Sequence, residues 1–294
     1  MKVLAIGSEG NIGGPLVEYL RNVGHDVLES DIKPGYRPGY LMADINHPAD
    51  LMDAFDWGPD VVYLMASVVS RVTCEQAGSL AVTTNIGGVN NVVQMTKRIG
   101  ARLVYFSTSE VYGPTDEVMD EDLTVPHPNN RYGLTKYLGE RLVEYETEQC
   151  GLQAVTVRPF MIYDENEDLG DHRSAMVRFA QRLSEGRPIE VHEGSSRSWM
   201  HISDAVKALS KVIGVRGYQV INIGHPHATR TTVLAEMIRE RLDASPDLLR
   251  FIPQPEQMTP NKKPSLLKQE RLLGVTPKVD IVDGVMRVCN RFTR

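Results

Sequence analysis

Short, uninterrupted apolar runs alternate with stretches of helical spacing through the first half of the chain. The runs VLAI (3–6), DVLES (26–30), YLMA (40–43), VVYLMA (61–66), LVYFS (103–107) and AVTVR (154–158) lack the alternation of a strand with one wet face. They predict strands buried on both faces, as in a parallel sheet. Between them, PLVEYLRNVG, LAVTTNIGGVNNVVQMTKRIG and YGLTKYLGERLVEYETEQCG place apolar residues three and four apart and predict helices. Strand–helix alternation implies an α/β, doubly wound parallel sheet covered on both faces. From about residue 160 the pattern loosens into an acidic loop (DENEDLGDH), a helix (SAMVRFAQRLSEG), a strand-like PIEVHEG and a Pro-rich stretch (IPQPEQMTPNKKP). We therefore expect a domain over 1–160, rejoined by about 197–224 through MHISDAVKAL and VINIG, and a smaller interleaved lobe over about 161–196 and 225–294.

Composition narrows the function classes. A chain of 294 residues with 41% hydrophobic and 24% charged positions has ample length for a buried core. A net charge of −6 gives no electrostatic reason to expect nucleic acid or an anionic membrane as partner. Cys74, Cys150 and Cys289 are odd in number and far apart, which argues against disulfides or a zinc site and suits a reducing cytoplasm. The opening MKVLAIGSEGNIGG breaks at glycines too early for a signal peptide, and no run approaches membrane-spanning length. A cytoplasmic protein without bound metal is expected.

The first strand leads into GSEGNIG, with Gly7, Gly10 and Gly13 spaced GxxGxxG at the start of a helix. Glycines there permit a tight turn and close backbone approach to a pyrophosphate, which the helix N-terminus then attracts. This is the phosphate-binding turn of a Rossmann-type domain. Asp31 ends the second strand 18 residues after Gly13. A carboxylate there accepts hydrogen bonds from ribose hydroxyls and repels a 2′-phosphate, so NAD is expected over NADP. Lys33 close by partly offsets that charge, and Asp44-Ile45, after the third strand, suits the adenine edge.

Tyr132 and Lys136 in RYGLTKYLGE stand at i and i+4 on one helical face, after a strand whose end carries Thr108. A phenol titrates near 10, and bringing it to neutrality takes about 4 kcal/mol. A nearby ammonium and a cationic nicotinamide can supply that by favouring the phenolate. Thr108 can orient the same substrate hydroxyl. In STSEVYG (107–113), Glu110 is an unexpected carboxylate at the mouth of a buried strand and a candidate acid or base.

Together, GxxGxxG with Asp31, Thr108 and Tyr132-xxx-Lys136 resemble the extended short-chain dehydrogenase/reductases, in the NAD-dependent nucleotide-sugar epimerase/dehydratase branch. Asn85 in TTNIGG, Arg158-Pro159, RSWMHISDAV (197–206) and the closing LLGVTPKVDIVDGV extend the resemblance over essentially the whole chain. It implies tightly bound NAD contacted also by Asn11, Ile12, Ile32, Met65, Ala66, Asn85 and Pro159. It implies a nucleotide-diphosphate sugar as substrate, with Tyr132 taking the C4 hydroxyl proton during oxidation. Epimerisation, elimination or decarboxylation of the 4-keto sugar would follow. Ser109 and Lys262 would face the sugar, and Arg197 and Arg173 the diphosphate, a role suited to a planar guanidinium. The Thr-Ser-Glu before VYG is similar to GDP-mannose 4,6-dehydratases and UDP-glucuronate decarboxylases, in which the glutamate assists the step after oxidation. NKKPSLLKQERLLG also resembles the decarboxylases, except that Lys262-Lys263-Pro264 stands where those have Arg-Lys-Pro. Lysine does not reproduce a planar fork. Family members commonly dimerise through two helices, here about 80–98 and 131–149, so a homodimer is expected.

Other features read as structure. His225-Pro226-His227 lacks further metal-spaced ligands and suits a turn, and Cys74 suits a small buried thiol. The sequence thus points to C4 oxidation followed by a Glu110-assisted dehydratase- or decarboxylase-type step. The alternatives are a 4-epimerase, in which Glu110 only shapes the pocket, and a non-catalytic dinucleotide binder.

Overall fold

The apolar runs become one parallel sheet because both faces of each strand are buried. The computed structural model describes residues 1–170, 174–255 and 258–293. β1 (Lys2–Ile6), β2 (Asp26–Asp31), β3 (Tyr40–Met42), β4 (Val61–Leu64), β5 (Arg102–Phe106), β6 (Gln153–Pro159) and β10 (Val220–Ile223) form seven strands in the order β3-β2-β1-β4-β5-β6-β10. Alternate residues feed two cores. Val3, Ala5, Val104, Phe106 and Ile221 pack on one face, while Leu4, Ile6, Leu103 and Tyr105 pack on the other.

Helices cover both faces. On the first lie α1 (Gly13–Asn22) and α8 (Ile202–Lys211), through Leu16, Leu20, Ile202, Ala205 and Leu209. The opposite face takes α5 (Val89–Arg98) and α6 (Arg131–Cys150), through Val89, Val92, Val93 and Val143. The β3–β4 connection carries α2 (Met52–Asp56), and the β4–β5 connection carries α3 (Arg71–Gln76) and α4 (Gly78–Val82) ahead of α5. A wider, π-type turn over Thr83–Gly88 joins α4 to α5 where the sequence predicts one regular helix.

The chain leaves β3 at one edge and crosses to β4 beyond β1. The order therefore reverses between β1 and β4, where doubly wound sheets bind ligands beyond the carboxyl ends of their strands. The Gly-rich turn, Met65-Ala66, Thr108 and Pro159 all lie at or just beyond those ends.

The smaller lobe has its own sheet. β9 (Ser196–His201) pairs with β7 (Met161–Tyr163), β13 (Asn261–Lys262) and, antiparallel, β11 (Ala228–Arg230). A separate parallel pair joins β8 (Ile189–His192) to β12 (Leu249–Ile252). These pack with α7 (Ala175–Ser184), α9 (Thr231–Arg241) and α10 (Ile281–Asn290) around Met176, Phe179, Leu234 and Val288. Within 197–224, α8 and β10 join the large sheet, whereas β9 stays in the small one. β9 ties the lobes together because Trp199 belongs to the small core and Met200 to the large one. Among the described residues no helix is long and apolar enough to cross a membrane, no His, Cys, Asp and Glu group could hold a metal ion, and the three cysteines are unpaired.

Candidate active site

Two contacts place the tyrosine. Asn130 ends the loop before α6 by accepting the Gly133 N–H at 2.9 Å, the capping bond that starts this helix. Gly133 then lets the helix press on the 3₁₀ turn Ser109–Tyr112, because a Cβ on it would lie 2.7 Å from the Glu110 carbonyl oxygen. The first turn of α6 thereby meets the end of β5, and Tyr132 and Thr108 line the same chamber. Burial raises Tyr132 above its ordinary value; Thr108 opposes the rise, and Glu110 and Cys74 add to it.

Lys136, one helical turn on, is 1% exposed with its ammonium 4.7 Å from the Tyr105 ring centroid. Burial pushes it down to about 7, against the pull of Glu140 and Cys74. The sequence reading has Lys136 drawing the phenol down. In the structure burial dominates both groups, and the phenol stays high.

Glu110 sits in a network the sequence does not reveal. Its Oε1 accepts from Lys262 Nζ at 2.5 Å, a partner 152 residues away. Asn130 Nδ2 and Thr259 Oγ1 donate to Oε2 at 3.1 and 3.4 Å, and Arg71 Nε stands 3.9 Å from Oε1. Burial alone would raise Glu110, but Lys262, Arg71 and the hydrogen bonds from Lys262 and Asn130 outweigh it and hold the carboxyl near 2. Burial lowers Lys262 to about 8, with Glu110 supporting its charge and Arg197 and Arg71 opposing it. At neutral pH this is a buried carboxylate–ammonium pair.

Arg197 Nη1 donates to the Ser196 and Pro260 carbonyls at 2.8 and 2.6 Å. Burial lowers it to about 10, which leaves it a cation at neutral pH. A chamber of about 740 Å³ gathers Thr108, Ser109, Glu110, Tyr132, Pro159, Arg197 and Lys262. Arg71, Arg178, Glu190 and His192 also line it, giving, among the described residues, three arginines and Lys262 against two carboxylates. A second cavity of about 400 Å³ adjoins it through Arg178, Phe179, Glu190 and His192, and adds Arg182 and Arg250. Arg173 lies outside the described residues.

The Gly-rich turn and Met65-Ala66 meet at the switch point. Gly7 has φ +95° and abuts Ala66, whose N–H would lie 2.5 Å from a Cβ. The Met65 and Ala66 N–H groups both donate to the Ile6 carbonyl, fixing that approach. A Cβ on Gly13 would meet the Gly7 oxygen at 2.2 Å, so the helix packs onto the turn only with glycine there. Gly10 faces open space, with the Gly7 oxygen at 3.3 Å its one neighbour within 4 Å. Ile12, at the N-cap of α1, makes no side-chain capping bond, so no cap competes with an anion at that terminus. A glycine cradle beside an uncapped helix start fits a dinucleotide pyrophosphate.

Asp31 accepts from the Glu9 and Lys33 N–H groups at 2.9 and 3.1 Å, and Ile32 beyond it is 64% exposed. Asn11 Nδ2 donates to Glu167 at 3.4 Å, which seats the acidic loop on the Gly-rich turn.

Three expected residues are engaged within the fold. Asn85 is fully buried and exchanges hydrogen bonds with the Val68 backbone while donating to Thr135, so its reach to the cleft runs through Val68. Ile45 belongs to the core, and Asp44 accepts from the Asn46 N–H in a local turn. His225 likewise accepts from the His227 N–H in a turn. Of the residues the sequence reading missed, Asn130 carried a signal as a helix cap. Arg71 and Thr259 carried none, because only the fold brings them to Glu110.

A family profile described as "NAD dependent epimerase/dehydratase family" matches residues 3–224. The chain is 26% identical to UDP-glucuronic acid decarboxylase 5 of Arabidopsis thaliana, over 97% of this chain and 87% of that protein. It is also 26% identical to UDP-glucuronic acid decarboxylase 1 of Danio rerio, over 100% and 73%. The fold matches UDP-glucose 4-epimerase of Thermus thermophilus in complex with NAD, with TM-score 0.90, 23% identity and 99% of each chain covered. It matches dTDP-glucose 4,6-dehydratase from Streptomyces venezuelae with TM-score 0.88, 22% identity, and 99% and 97% covered.

Proposed function

The chain belongs to the NAD-dependent epimerase/dehydratase family, and on that premise we propose that it oxidises a nucleotide-diphosphate sugar at C4 and then performs a dehydratase- or decarboxylase-type step. The observation that carries the proposal is the meeting, in one chamber, of Tyr132 and Thr108 with the Glu110–Lys262 pair and Arg197. NAD, when bound on the Gly7–Gly13 turn and beside Asp31, supplies the two-electron acceptor for the C4 carbon. Thr108 holds the C4 hydroxyl, and Tyr132 takes its proton as a phenolate steadied by the Lys136 charge. A C4 carbonyl acidifies the neighbouring C–H and weakens the bond to a C5 carboxylate. Lys262, kept charged by Glu110, can then give the proton of the second step. Arg197 and Arg71 face the diphosphate, and the arginine-lined second cavity takes the nucleoside end.

A 4-epimerase is the second reading, favoured by one observation. A carboxylate held near 2 in an ion pair can serve as a pocket wall without exchanging protons. The curated relatives act on UDP-glucuronic acid by name, so UDP-sugars are the first class to test. Nucleotide sugars at 100 times their dissociation constant should stabilise the NAD-loaded protein by about 2.7 kcal/mol. A panel of UDP-, dTDP- and GDP-sugars that leaves the unfolding temperature unmoved would contradict the proposal.

We also infer a homodimer in a reducing, cytoplasm-like compartment. α4 and α6 leave Leu80, Leu134, Leu138 and Tyr145 between 43% and 58% exposed on neighbouring helices, a face suited to its own copy. Light scattering at micromolar concentration should give the mass of two chains; a monomer would end the inference.

A further inference from the structure

Resting on the cofactor reading above, we propose that Glu9 is a specificity-determining residue that occupies, on Arg37, the place a 2′-phosphate would take. The adenosine ribose of a dinucleotide on this turn lies by Asp31, where an acidic residue holds the ribose and a nearby arginine can instead accept a 2′-phosphate. Two cations are tied to Glu9, whose N–H Asp31 accepts. Lys33 Nζ donates to the Glu9 carbonyl at 3.1 Å, and Arg37 Nη2 donates to Glu9 Oε1 at 2.5 Å.

Arg37 is fixed from behind as well. Its guanidinium pairs with Glu29, which also pairs with Arg21 at 2.8 Å, and lies 4.3 Å from the Tyr40 ring centroid. Glu29 is 4% exposed, and burial alone would raise it, but Arg37 and Arg21 hold it below its ordinary value. The Glu29–Arg37 half is therefore a built cationic mount, and Glu9 is the half-buried anion seated on it. Asp31 fixes the seat by accepting the Glu9 N–H. The carboxylate of Glu9 repels a 2′-phosphate and also blocks the guanidinium that would bind one. A ribose with a free 2′-hydroxyl meets neither obstacle.

Equilibrium binding of NAD and NADP to the purified protein tests this. Glu9→Gln keeps the side chain's size and removes its charge, and it should tighten NADP binding about tenfold, one charge-assisted hydrogen bond's worth, with NAD binding unchanged. Glu9→Ala should give the same gain. Adding Arg37→Ala to either variant should abolish it, because the phosphate loses its partner. Damage to the turn would weaken both cofactors together, so a selective gain is not a structural side effect. If the unmutated protein binds NAD and neither Glu9 variant gains NADP affinity, or the gain survives Arg37→Ala, the proposal is overturned. If the unmutated protein binds neither dinucleotide, the cofactor reading fails and the proposal with it.

Discussion

Tyr132→Phe should lower turnover by a factor of about a hundred or more while NAD affinity holds, the loss expected when a general base is removed. The substitution keeps the ring in the chamber beside Thr108 and deletes only the phenol oxygen. The size of the loss follows from the electrostatics. Burial favours the neutral phenol, so the active site must supply positive charge to form the phenolate. Lys136, pushed down to about 7 by its own burial, carries that charge only in part at neutral pH. Near-normal turnover in Tyr132→Phe would place the first proton transfer elsewhere.

Glu110→Gln should lower overall product formation on the order of 10²–10⁴-fold and also cost about 3–5 kcal/mol of stability, because it strips one partner from a buried ion pair. Lys262 would remain beside Arg71 and Arg197 without its carboxylate, and the repulsion would drive it neutral. The two effects separate in the double variant Glu110→Gln/Lys262→Met. Removing both charges should recover most of the lost stability, since the buried ammonium is no longer left without its carboxylate. Product formation should stay low, because the proton-exchanging group is gone. Recovery of both would reduce the pair to a structural bridge and favour the 4-epimerase reading.

How much of this was legible in the sequence depends on the distance over which each feature is built. The β1–Gly7–α1 turn and the Tyr132–Lys136 spacing are local, and the chain shows them without the fold. The large sheet was legible because strands buried on both faces have no polar alternation. β9 was harder, since it serves two cores through Trp199 and Met200 and so carries no simple pattern. Glu110 was visible as an odd carboxylate, but its character was not. Lys262, Arg71 and Thr259 reach it only in the folded chain, and they turn an expected acid or base into one half of an ion pair. Asn85 shows the converse: TTNIGG suggested a cofactor contact, and the fold turns its amide inward to Val68 and Thr135. The tether of Glu9 to Arg37 spans 28 residues and was equally invisible to local pattern.

The central claim is that C4 oxidation is followed by a proton transfer at the Glu110–Lys262 pair, and the product formed in deuterated water tests it most directly. The unmutated, NAD-loaded protein is given a nucleotide sugar that stabilises it, and the product is weighed and located by nuclear magnetic resonance. The account predicts loss of water or of carbon dioxide from the sugar, with deuterium from solvent on C5, the carbon next to the original C4. A product of unchanged mass, inverted at C4 and free of solvent deuterium, would contradict it.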